Sequence, residues 1–122
     1  MLNEYNESKY GGTPVARERE LILAEAAKTV CNDRNAQYGE PEDNFAVIAE
    51  LWAQYLRRAK GFIAPAGEGL NAYDVGMMML LFKIGRLETG APKRDSFVDA
   101  AGYIACAAEI AMRTKGGVND AV

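Results

Sequence analysis

Residues 71–90 read NAYDVGMMMLLFKIGRLETG, and no other segment of the chain constrains the architecture as tightly. From Val75 to Phe82 the run is apolar apart from Gly76. Wound at about 100° per residue, its side chains point all the way round, Val75 and Phe82 near one direction and Met77 and Ile84 nearly opposite. A helix that is apolar on every side is buried on every side, so this segment is expected to be the central helix. Asn71 as N-cap with Asp74 three residues on forms a capping box, and Gly90 followed by Pro92 marks the end. Lys83 and Arg86 lie within about 60° of each other on its surface. Two cations on such a helix need a solvated end, a bound anion, or an acidic partner.

Further helices frame this one. Thr13-Pro14 reads as an N-cap followed by proline at the first helical position, opening a helix from about Pro14 to Asn32. Glu18, Glu25 and Asn32 recur every seven residues along the border of its apolar face. Pro41 starts the next helix, with Glu42 and Asp43 in a first turn that favours acids and with Phe45, Ile48, Leu51, Trp52, Tyr55 and Leu56 on its face. It runs to about Lys60, where Gly61 is a natural stop, and residues 62–70 form a connection. A last helix runs from Asp95 or Ser96 to about Lys115. One of its faces carries Phe97, Ala101, Ile104, Ala108, Ala111 and Met112; another carries Asp95, Asp99, Gly102, Cys106 and Glu109, small enough below its acids for close backbone approach.

No segment alternates with a period of two, so no sheet is expected. The fold class is all-α, an up-down four-helix bundle occupying residues 14–116, with a flexible arm at 1–13 and a tail at 117–122. Two apolar faces on the last helix exceed what one such bundle buries, which predicts a homodimer or higher oligomer.

The composition, 49% hydrophobic and 25% charged over 122 residues, is that of one globular domain. A net charge of -3 argues against duplex nucleic acid as a partner. No run approaches the ~20 apolar residues of a membrane span, and the polar N-terminus has no signal-peptide core, so a cytoplasmic location is expected. There is no histidine, which removes Ser-His-Asp and Cys-His catalysis and the usual zinc sites. Cys31 and Cys106 fall in apolar helical patterns and read as buried thiols.

Three groups can carry chemistry. Asp95 and Asp99, at i and i+4, can share a Mg²⁺ ion directly or through its waters; Ser96 to Asp99 is equally a capping-box spacing. Lys83 and Arg86 suit phosphate, or an ion pair with Asp95 or Asp99 across the short link. In the polar stretch NDRNAQYGEPEDNF (32–45), Arg34 adds a cation, Tyr38 offers a ring for stacking on a base, and Asp33 and Asn44 can hold a base or ribose or serve the local turns. Tyr103, on the helix of the acids, can close such a site.

The segments NDRNAQYGEPEDNF, DVGMMMLLFKIGRL and KRDSFVDAAGYIA, with the spacings DR-x3-YG, K-x2-R and D-x3-D-x2-GY, resemble a phage and prophage family of small helical proteins with no assigned function. The resemblance spans about residues 21–111. More distantly the arrangement is similar to the all-α nucleotide pyrophosphohydrolases, the MazG-like and dimeric dUTPase group. That likeness implies an oligomeric helical protein that binds a nucleotide. It also implies Mg²⁺ held by Asp95 and Asp99, with Lys83 and Arg86 meeting the charge that develops on phosphate. The family's first acidic pair, Glu-x-x-Glu, is absent from every predicted helix. A non-catalytic interaction module, in which Lys83, Arg86, Asp95 and Asp99 form an ionic network that fixes the packing, is the competing reading.

Overall fold

The computed structural model describes residues 16–114. The described residues form helices α1 (Glu18–Lys28), α2 (Arg34–Tyr38), α3 (Pro41–Lys60), α4 (Ala72–Thr89) and α5 (Arg94–Thr114), with a π turn at Thr29–Asp33 and no strand. The regular structure of these residues is all helical, as the periodicity predicts. The proposed arm, the Thr13-Pro14 cap and the glycine stop at Gly116-Gly117 lie outside the described residues.

Local signals account for most boundaries. Asp74 N–H donates to Asn71 Oδ1 at 2.9 Å while Asn71 N–H donates to Asp74 Oδ2 at 3.0 Å, the reciprocal capping box expected at the start of α4. Pro41 sits in the first turn of α3, and Gly61 closes that helix in the left-handed region at φ 71°. Differences appear near α1. It begins at Glu18, where Glu20 Oε1 accepts from Arg17 N–H at 3.0 Å. Beyond Lys28 the chain stays helical through the π turn and α2, so 32–38 is not the irregular segment its polarity suggested. The actual stop is Gly39, at φ 82°.

Packing is centred on α5. It crosses α4 so closely that a Cβ added at Gly76 would lie 3.0 Å from Ala107 Cβ. Seven residues further along α4, Lys83 Nζ meets Asp99 Oδ2 at 3.0 Å. The two helices therefore run antiparallel. On another side of α5, Arg94 reaches Glu18 (2.6 Å) and Glu25 (2.7 Å) of α1, and Gly102 lies where a Cβ would meet Val30 Cγ1 at 2.9 Å. These pairings set α1 alongside α5 in the same direction. In an up-down bundle of four, the first and last helices run oppositely, so the order differs from that expectation. At the far end Arg113 of α5 reaches Glu40 (3.6 Å) and Glu42 (3.7 Å) at the start of α3. Phe45 and Ala49 of α3, Ala72 and Val75 of α4, and Cys106 and Ile110 of α5 form the core.

One burial expectation is corrected. In α4 only Ala72, Val75 and Gly76 are buried, whereas Met78, Leu81, Phe82 and Ile84 are exposed; a single chain has too few neighbours to surround the helix. In α5 the small face (Gly102, Cys106) is the packed one, in line with the close approach its residues allow, and Phe97, Ile104 and Met112 of the other apolar face remain exposed. No helix among the described residues is long and apolar enough to cross a membrane.

The Gly76 crossing yields a graded prediction. Alanine there gains ~1 kcal/mol of helix propensity against a contact that must give by tenths of an ångström, so Gly76→Ala should be near neutral. Gly76→Val cannot be accommodated without parting the helices and should cost ~1–3 kcal/mol, a fall of several degrees in thermal melts followed by circular dichroism. A valine variant as stable as the parent would show that the helices are not in contact there.

The Arg94 clamp predicts a pH dependence. The hydrogen bond from Arg94 holds the Glu25 carboxyl below its ordinary value of 4.5. A lowered folded pKa stabilises above the unfolded value and loses that contribution as pH falls through the folded one. Arg94→Gln should therefore melt lower than the parent at pH 7, with the gap closing once the pH drops below about 4.5; a gap independent of pH would assign the effect to packing of the arginine stem.

Candidate functional site

The helical continuation into α2 creates a cleft. Its walls are α1 and the π turn (Ala26, Thr29, Val30), α2 (Arg34, Asn35, Tyr38), the start of α3 (Pro41, Asn44, Phe45) and the first half of α5 (Val98, Asp99, Gly102, Tyr103, Cys106). Gly102 matters here because a side chain would displace Val30. The floor is apolar, with the Phe45 and Tyr103 rings 6.3 Å apart and tilted by 35°. At the mouth the Arg34 guanidinium lies 5.7 Å from the Tyr38 ring centroid.

Five residues singled out from sequence line this one cleft: Arg34, Tyr38, Asn44, Asp99 and Tyr103. Asn44 also serves its local turn, donating from Nδ2 to the Glu40 carbonyl at 3.0 Å. The others are placed elsewhere. Asp33 is exposed in the π turn and Asp95 is exposed in the first turn of α5. Lys83 pairs with Asp99, with side-chain exposures of 18% and 35%. Arg86 lies 4.9 Å from the Phe82 ring and makes no ion pair among the described residues. The suggested four-member ionic network is thus a single pair among the described residues, Lys83 with Asp99, while Arg86 lies over the Phe82 ring.

Mg²⁺ does not suit this donor set. The Asp99 carboxylate already meets the Lys83 ammonium at 3.0 Å, so a cation shared with Asp95 would have to displace a fixed positive charge. Among the described residues no three His, Cys, Asp or Glu side chains gather around a point where a metal could sit.

Sequence reasoning missed Asn35. Its Nδ2 donates to Glu40 Oε2 at 3.0 Å, and its Oδ1 is buried with no partner among the described residues. An unpaired buried acceptor costs about 1–3 kcal/mol. Asn35 also forms the wall to a second hollow of about 240 Å³, lined by Cys31, Glu40, Glu109 and Arg113 among others. Nothing separates Asn35 from Asn32 or Asn44 in the sequence; only the π turn selects it.

The chain belongs to the family described as a domain of unknown function, DUF6378. That family matches residues 21–111. The chain is similar to the Gene 55 protein of Mycobacterium phage D29, 37% identical over 91 residues, which cover 75% of this chain and 54% of that protein. It is also similar to the Gene 55 protein of Mycobacterium phage L5, 34% identical over 82 residues, covering 67% and 47% respectively. The chain thus spans about half the length of the curated relatives it matches. No solved structure matches it. The family match covers α2, the cleft and the crossing of α4 with α5.

The two thiols differ. Burial pushes Cys106 up to about 11, so it stays protonated and unreactive near neutrality, while Cys31 is exposed, against the sequence expectation. A disulfide-exchange reagent such as DTNB at pH 7.5 should modify one thiol per chain rapidly and the second only on unfolding. Two equally fast thiols would mean that the α3–α5 core opens readily.

Proposed function

We propose that this protein binds a nucleotide in the cleft between α2, α3 and α5, as a non-hydrolytic binding protein. The observation that carries the reading is the convergence of Arg34, Tyr38, Asn44 and Tyr103 on one cleft, with the unpartnered acceptor of Asn35 in its wall. A base stacks against Tyr38 and donates an exocyclic N–H to Asn35, and phosphate meets Arg34. The cleft holds about 90 Å³, less than the ~150 Å³ void that takes up benzene, so the ring seats only partly and the rest lies along the open side.

One stacked base and one charged hydrogen-bonding group supply ~3–6 kcal/mol together, which corresponds to millimolar to tens-of-micromolar affinity. Lys83 adds little, because Asp99 neutralises it. The likeness to phage proteins fits action in a host cytoplasm, and the resemblance to pyrophosphohydrolases fits a nucleotide ligand without carrying their metal chemistry.

Calorimetric titration with nucleoside mono-, di- and triphosphates, with and without Mg²⁺, tests this. Binding of a subset should be indifferent to Mg²⁺ and should weaken at least tenfold in Arg34→Ala and Tyr38→Ala, both exposed and so expected to leave the melting temperature unchanged. Absence of binding across the panel would end the nucleotide reading. Mg²⁺-dependent release of pyrophosphate that Asp99→Asn abolishes, with the fold intact, would instead establish hydrolysis.

A further inference from the structure

We infer that the outer face of α4 is the seam of a homodimer, in which α4 of one copy packs antiparallel against α4 of a second. The turned-out stripe of this helix consists of Met78, Leu81, Phe82 and Gly85. Leu81 is 61% exposed, Phe82 47% and Met78 41%. None of these four positions is itself charged; Arg86 borders them with its guanidinium 4.9 Å from the Phe82 ring, and Asp74, towards the N-terminus, is held in the capping box. An apolar stripe of this size on an exposed helix marks a contact surface.

The occupant is identified by the size profile of the stripe. Met78 and Gly85 lie equally far from the midpoint between Leu81 and Phe82. A two-fold axis through that point brings Met78 of each copy opposite Gly85 of the other, a long flexible side chain over a position without one. Leu81 of each copy then meets Phe82 of the other near the axis, the reciprocal pairing that an isologous contact requires. Gly85 supplies a separate reason. A Cβ there would meet nothing within 4 Å, so a lone chain gains nothing from glycine at a position where it weakens the helix. A second helix approaching closely does.

Sedimentation equilibrium of the full chain, with circular dichroism as the check on folding, tests the inference. The parent should be dimeric at about 10 μM, and both Leu81→Glu and Gly85→Leu should raise the dimer dissociation constant at least tenfold while keeping the helix content. Gly85→Leu is the sharper variant. In a lone chain it fills open space and should leave the melting temperature of the monomer equal or higher, so loss of the dimer cannot be blamed on misfolding. A parent that is monomeric at about 100 μM overturns the inference. So does a dimer indifferent to both substitutions, which would move the seam to another surface such as the exposed Phe97 and Ile104 face of α5.

Discussion

The tight crossing of α4 and α5 is the constraint from which the remaining geometry follows. Gly76 against Ala107 brings two backbones together with almost no side chain between them. Two turns away the Lys83–Asp99 pair sets the rotation of one helix on the other. Once that pair is fixed, α5 presents Arg94 at one end and Arg113 at the other, and each guanidinium gathers carboxylates from a different helix. Exposed ion pairs contribute little energy, so the arginines select which helix lies where, while the Phe45–Val75–Ile110 core supplies the cohesion. The centre of the molecule is therefore α5, although α4 is the more apolar segment.

Signals that act within a few residues were legible in the sequence. Asn71 with Asp74, Pro41 at a first turn and Gly61 at a helix end each satisfy backbone groups locally, and each works as its residue types suggest. What depends on partners was not legible. The apolarity of α4 says that it needs cover on all sides but not whether one chain provides it. The Glu18, Glu25 heptad marks a helix border, but the residue that joins them, Arg94, sits some seventy positions away and looks like an ordinary cation at a helix start.

The candidate site was legible in residue type and only half so in placement. Arg34, Tyr38, Asn44, Asp99 and Tyr103 share the cleft because helix persists through residues 29–38, a continuation that a polar, unpatterned stretch does not announce. Asp95 lies on the face of Asp99 but a turn nearer the start of α5, past the end of the cleft, and Arg86 belongs to α4, which contributes no residue to the cleft wall. The i, i+4 pairing of Asp95 and Asp99 is real as a spacing, yet the Lys83 ammonium claims one of its two members.

The π turn at Thr29–Asp33 has a consequence of its own. It takes up more residues per turn than an α-helix, and so resets the phase between α1, which lies on α5, and α2, which faces the cleft. Each residue of an α-helix advances its successors by about 100°. A chain one residue shorter between Lys28 and Arg34 would keep α1 seated and swing a different set of α2 side chains over the cleft floor. Chain length at this turn, as much as side-chain identity, thus sets which α2 side chains line the cleft on an otherwise unchanged scaffold.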